Sequence, residues 1–188
     1  GKFVTFLDAD DLIHPSKIAS QVSCFANKPA LVLLGTAAKL IDSNGICFGK
    51  ITPPTDDLEL RLELLFGNPF VCSSVMVRRD CLKTHAPFEM NQGSGYAEDF
   101  ALWKRLASSG SVGNLPELLT SYRKVNNSRS RNFASAPISS AREIAAKYLY
   151  ENSNLFNSLD DAFTLVTSVN GIHNLTLNRN DHNLDCLK

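Results

Sequence analysis

The chain has no CxxC pair, no surplus of either charge and no apolar run long enough to cross a bilayer, and each absence removes a class of protein. Its five cysteines (Cys24, Cys47, Cys72, Cys81, Cys186) are odd in number and scattered, which suits reduced thiols better than a disulfide framework or a zinc site. With 19 basic residues against 19 acidic ones, no global field points toward nucleic acid. The most apolar stretch, ALVLLGTAA at 30–38, is too short to span a membrane, and no basic-then-apolar leader is visible at Gly1. The expectation is a cytoplasmic protein without a transmembrane segment, able to sit peripherally on a membrane.

What is present is enough for a core: 188 residues, 44% of them hydrophobic, fit one domain. Residues 2–7 read as a strand buried on both faces, and Pro15 opens a helix over 15–27. One or two strands follow over 31–41, closed by the turn Asp42-Ser43-Asn44-Gly45. A helix near 56–66 carries Leu58, Leu62 and Leu65 on one face. FVCSSVMV at 70–77 reads as a second strand. A helix with Phe100, Trp103 and Ala107 at helical spacing then ends near Gly110 as its C-cap. On that stripe Trp103 is expected to pack in the core. Short strands at 111–115 and 118–124 precede helices at 137–150, with Ala141, Ile144, Ala145, Tyr148 and Leu149 inward, and at 159–170, capped by Ser158. Strands interleaved with helices predict an α/β fold with a mostly parallel central sheet flanked by helices.

Chemistry concentrates at two acidic places. Asp8, Asp10 and Asp11 follow the first strand directly, and close carboxylates repel unless something compensates them. Ligands of open α/β sheets collect beyond the carboxyl ends of strands, and hard divalent cations take oxygen ligands. Residues 8 and 10 face one side of an extended segment, so both can address one ligand. Helix capping is the competing explanation, and it accounts for one aspartate rather than three. Glu98 and Asp99 form the second place. They are either first-turn acids stabilised by the helix dipole or a general base at the edge of a cleft.

In order along the chain, GKFVTFLDADDLIHPSKI, SSVMVRRD at 73–80, AEDFALWKRLASSG at 97–110 and LTSYRKVNNSRS at 119–130 resemble the family-2 type of inverting glycosyltransferases with the glycosyltransferase-A fold. The resemblance covers most of residues 1–130. It implies a nucleotide-diphospho-sugar donor held through Mn²⁺ or Mg²⁺ by a DXD motif. Asp10 would then be the direct metal ligand, Asp8 would lie at the metal or the donor ribose, and Asp11 would support the donor loop. Asp99 corresponds to the catalytic base, with Glu98 orienting the loop or the acceptor. Gly95 and Tyr96 fall on the acceptor side, where a glycan or a lipid-linked acceptor would bind.

Arg123, Lys124, Arg129, Arg131 and Arg142 occur in an acid-free stretch, either a solvated loop or a mobile lid that brings Arg123 and Arg129 to the donor diphosphate. Tyr122, Arg123 and Ser128 fit the family pattern, whereas Val125 stands where the family usually has His and cannot ligate a metal. The resemblance divides the chain into a catalytic half at 1–132 and a C-terminal helical extension at 133–188. It also implies about two or three further βαβ units ahead of Gly1. A fragment lacking these N-terminal strands would expose a sheet edge and could self-associate through it. Two other readings stay open: a non-catalytic remnant that binds a glycan or a partner, and a nucleotidyltransferase.

Overall fold

The computed structural model describes residues 1–84, 98–124, 135–152 and 156–168. A mixed sheet forms the middle layer. Its strands are β1 (Phe3–Thr5), β2 (Leu12–Ile13), β3 (Leu31–Ile41), β4 (Cys47–Ile51), β5 (Met76–Arg78) and β6 (Ser111–Arg123). Helices α1 (Lys17–Asn27), α2 (Asp57–Phe66), α3 (Arg79–Thr84), α4 (Glu98–Ala107) and α5 (Ser135–Asn152) accompany it, with a last helical segment at 159–168.

The sheet order is β1-β5-β3-β6-β2, with β4 pairing β3 beyond that path. The α/β class holds, but the mostly parallel sheet does not: among the described strands β3–β6 is the parallel pair and every other pairing is antiparallel. The reason lies in the connections, since the β3–β4 turn is a hairpin and short strands return beside their partners. Residues 31–38 are all buried because both faces of β3 are covered. Leu60, Leu64, Trp103, Leu106, Ala145, Ala146 and Leu149 share the larger core with Leu33. Phe25 of α1 packs with Leu31, Leu34 and Met76 in a smaller one.

Several sequence expectations need correction. Residues 70–77 form a one-turn 3₁₀ helix at Cys72–Ser74 before β5, closed by the buried Ser74 hydroxyl donating to Val71 O at 2.7 Å, while the buried Ser73 hydroxyl accepts from Asp8 N. The two strands at 111–124 are one, with a register break between Leu115 and Leu118, where Pro116 lacks the donor a regular ladder needs. In α2 the inward leucines are Leu60 and Leu64, while Leu58 and Leu62 are exposed. Leucines on both faces left periodicity unable to choose. Ile144 and Tyr148 are only partly buried in α5, and the side chain of Ala141 lies outside the described residues. Trp103 is fully buried, edge-on to Phe6 at 5.4 Å between centroids, as its stripe predicts.

Gly110 is not a left-handed cap; among the described residues the glycine with positive φ is Gly45, at +84° in the β3–β4 turn. The end of α4 is instead held by Arg61 of α2. Its Nη1 donates to the Ala107 carbonyl at 2.7 Å and its Nη2 to the Gly110 carbonyl at 2.6 Å. Gly110 is required by space, since a Cβ there would collide with the Val32 side chain and the Ala30 carbonyl oxygen. Gly110→Ala is therefore expected to lower the unfolding free energy by about 1–3 kcal/mol, read as a lower urea midpoint.

Helix α1 is joined to the sheet by polar side chains as well as by Phe25. Gln21 Nε2 donates to the carbonyls of Leu34 (2.8 Å) and Ser74 (2.9 Å). Arg78 Nε donates to Leu31 O at 2.7 Å and its Nη2 to Phe25 O and Lys28 O at 3.1 and 3.2 Å, filling carbonyls at the helix end. Lys17, fully buried, donates from Nζ to Thr5 Oγ1 at 3.0 Å. Burial pulls its amine down from 10.5 to about 8. Between those values the unfolded chain holds a proton that the folded chain does not, so this residue makes stability rise with pH across that window. Lys17→Met should abolish that part of the rise and narrow the gap between urea midpoints at pH 7.5 and pH 10. The difference is on the order of 2 kcal/mol.

Candidate active site

β1 stops at Thr5 because the chain leaves its partner β5 there. Phe6 N still reaches Val75 O at 3.3 Å, and the backbone then turns through the aspartates. Asp11 N donates to Asp8 O at 3.2 Å, closing the turn, and Asp8 N donates to Ser73 Oγ at 3.0 Å, fixing it against the 3₁₀ helix. The three carboxylates divide at once. Asp8 and Asp10 are exposed, whereas Asp11 is buried and its Oδ1 accepts from the Arg123 backbone N–H at 2.7 Å. Asp11 Oδ2 is buried too and, beyond the nearby Ser73 hydroxyl, has no partner.

Arg123, at the end of β6, holds this turn in place. Its Nε donates to Asp10 O at 2.7 Å and its Nη1 to Asp42 O and Ser43 O at 2.7 and 3.2 Å. One side chain thus ties the aspartate turn to the β3–β4 hairpin. Partial burial raises the Asp8 carboxyl above its usual range, and Asp11 and Asp10 raise it further. Asp11 is raised by burial as well, while the Ser73 hydroxyl and the Arg123 amide pull it back.

Glu98 and Asp99 open α4. Asp99 Oδ1 accepts from Phe100 N at 2.7 Å, and Oδ2 accepts from Asn68 Nδ2 at 3.0 Å. Asn68 Oδ1 in turn accepts from Phe70 N at 3.1 Å, so the amide that aims Asp99 is itself held. Burial raises the Asp99 carboxyl, those two hydrogen bonds oppose it, and Glu98 and Asp8 raise it further. The two acidic places therefore interact across space.

Their meeting point is Cys72. Its thiol is pushed up to about 12, first by burial and then by the charges of Asp99, Asp8, Asp11 and Glu98. The protonated thiol on the 3₁₀ helix thus feels both acidic groups, which attach to the 68–73 segment through Asp8 N on Ser73 Oγ and Asp99 on Asn68 Nδ2. The first strand's aspartates and the start of α4, far apart in sequence, face one location. Sequence reasoning overlooked Asn68, Cys72, Ser73 and Lys17. The signal for one of them, Ser73, was present, since polar Ser73-Ser74 interrupt an otherwise apolar run. Arg129, Gly95 and Tyr96, with Val125 and Ser128, lie outside the described residues.

Asp8 and Asp10 supply exposed, hard carboxylate oxygens of the kind Mg²⁺ or Mn²⁺ takes. Among the described residues no group of three or more His, Cys, Asp or Glu side chains is arranged to hold a metal ion by itself. The donor set therefore fits an ion that completes its shell with water or substrate oxygens rather than an all-protein cage. Asp8, raised by its acidic neighbours, is a group that a nearby cation would relieve.

No protein-family model matches the chain. It is 25% identical over 138 residues to a Haemophilus influenzae protein named "Uncharacterized glycosyltransferase", covering 69% of this chain and 42% of that protein. It is 26% identical over 125 residues to "Putative glycosyltransferase EpsE" of Bacillus subtilis, covering 66% and 44%. Among solved structures it is similar to S. aureus TarS 1–349 in complex with UDP-GlcNAc, with a TM-score of 0.56 and 16% identity over 89% of this chain and 48% of that one. The complex of the same protein with UDP gives a TM-score of 0.52, over 89% of this chain and 46% of that one. The chain spans less than half the length of each of these relatives. It shares its mixed α/β fold with TarS, and the two similar sequences carry the word glycosyltransferase in their names.

Proposed function

We propose that this chain forms the catalytic half of an inverting, metal-assisted glycosyltransferase of the family-2 type, transferring a sugar from a nucleotide-diphospho-sugar to an acceptor hydroxyl. The observation that carries the reading is that both acidic groups are tied to one short segment, Asp8 to Ser73 and Asp99 to Asn68, where Asp8, Asp11, Glu98 and Asp99 all bear on the Cys72 thiol. The likeness to TarS in complex with UDP-GlcNAc supports a UDP-sugar as the first donor to test.

In this reading Asp10, with Asp8, holds Mn²⁺ or Mg²⁺. When bound, the cation neutralises charge that builds on the departing nucleoside diphosphate. Arg123 acts as a positioning residue through the backbone it fastens, and Asp11 anchors the same turn. Asp99 accepts the proton of the acceptor hydroxyl while that oxygen forms its bond to the anomeric carbon. The bond from that carbon to the diphosphate oxygen breaks, and its electron pair leaves with the nucleotide. A single displacement inverts the centre. A carboxyl raised by burial is a stronger base than a free aspartate, which suits the task, and Asn68 keeps it aimed. Activity should accordingly fall as pH drops through the raised Asp99 titration.

The test pairs two substitutions in a protein that carries this chain together with its base-recognising portion. Asp99→Asn is expected to lower kcat by about 10²–10⁴-fold with UDP-sugar binding retained. Asp10→Ala is expected to weaken Mn²⁺-dependent UDP binding in calorimetry, and a chelator should mimic it. Equal loss of donor affinity in both variants overturns the division of roles. Pyrophosphate release from a nucleoside triphosphate would favour a nucleotidyltransferase instead. Glycan binding indifferent to both substitutions would mark a non-catalytic module.

A further inference from the structure

The β3–β4 hairpin and its sheet neighbours present a surface that the reaction does not use. Registered partners share a face of a sheet. The row Leu12–Ser121–Lys39–Lys50, running across β2, β6, β3 and β4, is therefore one-sided. Leu12 is 53% exposed, and Lys39 and Lys50 are both exposed. Along β4, exposure alternates so that Phe48 stands out with Lys50, at 50%. Gly49 turns to the opposite face, where a Cβ would meet Leu40 at 3.2 Å. At the hairpin tip Ile46 is 64% exposed.

Two lysines directly opposite each other repel, and among the described residues neither has a carboxylate in an ion pair. The nearest acid of the hairpin, Asp42, spends Oδ1 on the backbone amides of Asn44 (2.9 Å) and Ile46 (2.8 Å). Those bonds, with Asp42 N donating to Ile46 O at 3.0 Å and left-handed Gly45, make the tip a defined turn that holds Ile46 outward. The face thus joins an unneutralised cationic pair to three exposed apolar side chains, Leu12, Ile46 and Phe48. A soluble polyanion would answer the lysines and leave the apolar side chains in water. The interface of an anionic bilayer answers both, with headgroup phosphates at the lysines and the acyl boundary at Phe48 and Ile46.

We infer that the β3–β4 hairpin, with Leu12 beside it, docks this protein on an anionic phospholipid surface. Arg123 gives the docking a consequence, because it bonds to the hairpin turn at Asp42 and Ser43 and to Asp10 O in the aspartate turn. A docked hairpin would hold the acidic cleft next to the headgroups, where a lipid-linked hydroxyl would be presented. The docking is read without donor or acceptor, so it stands or falls separately from the transfer reaction.

The test uses the whole chain with vesicles of phosphatidylcholine alone or with 30% phosphatidylglycerol, about the charge of an anionic membrane. Co-sedimentation with the charged vesicles only is expected. The double variant Lys39→Gln/Lys50→Gln should lower it about 25-fold, at roughly fivefold per lysine. That variant relieves a cross-strand repulsion, so it should fold at least as well as the parent. The chain's one tryptophan, Trp103, is fully buried, so in Phe48→Trp the added indole reports the hairpin. Its emission should shift to the blue on charged vesicles. Absence of vesicle binding, binding unchanged in the double lysine variant, or no blue shift at position 48 overturns the inference. Equal affinity for soluble polyphosphate and for vesicles also overturns it, as charge attraction alone.

Discussion

Four carboxylates, from Asp8, Asp11, Glu98 and Asp99, act on one partly buried thiol at Cys72, and hydrogen bonds hold the site against that repulsion. Each charge disfavours its neighbours, and burial disfavours Asp11 and Asp99 further. The arrangement persists because individual hydrogen bonds hold it. Arg123 N serves Asp11, Ser73 Oγ receives Asp8 N, and Phe100 N and Asn68 Nδ2 serve Asp99. Hydrogen bonds to charged acceptors are worth more than neutral ones, about 1.5–3 kcal/mol each, which is the scale needed to offset such crowding. An ionised cysteine would add a fifth charge to the group. Its high pKa keeps it a neutral spacer.

Those donors are in place because of β3 and β6. β3 is buried from Leu31 to Ala38, and β6 runs parallel along its full length, from Leu31 against Ser111 to Ile41 against Arg123. The pair delivers Arg123 to the aspartate turn. β5, on the other edge of β3, delivers the preceding 3₁₀ helix with Cys72 and Ser73. α4 arrives from above the same core through Phe100, Trp103 and Leu106, which fixes Asp99 at its start. α5 contributes Ala145, Ala146 and Leu149 to that core, so the helix after β6 shares the packing that holds α4.

Much of this was legible in residue order. The stripe of Phe100 and Trp103, the turn at Asp42–Gly45 and the Ser158 cap each follow from local chemistry, and Asp161 N does donate to Ser158 Oγ, at 3.1 Å. The apolar run into Asp8 is a strand only over Phe3–Thr5 and is half-buried rather than buried on both faces, with Leu7 exposed. What was not legible is tertiary. Strand direction depends on which segments pair, so a parallel sheet was expected where short antiparallel returns occur. Gly110 looked like a cap because it follows a helix, yet its smallness serves contact with Val32 across the sheet. Arg123 looked like a cation for a ligand. The partners that occupy it, Asp10 O, Asp42 O and Ser43 O, are backbone groups distant in sequence that no pattern advertises.

The distribution of cations gives the acidic group its meaning. The three ion pairs among the described residues, Arg61 with Asp57, Lys83 with Asp80 and Lys147 with Glu151, all lie elsewhere. Lys17 is buried within electrostatic reach of Cys72, but it bonds to a threonine hydroxyl and is drawn toward its neutral form. Lys104, its amine pulled down to about 7 by burial, sits between the Phe100 and Tyr148 rings on the far side of α4's start. Arg123 gives its guanidinium to carbonyls. A site meant only for stability would pair its acids with these amines, since an unpaired buried charge is among the costliest groups a fold can carry. Here the acids are grouped and fastened by amides, and among the described residues Asp8 and Asp10 on the open side have no ion-pair partner. In the proposed reading, a bound cation would offset that crowding at the point where a substrate's phosphates would meet it.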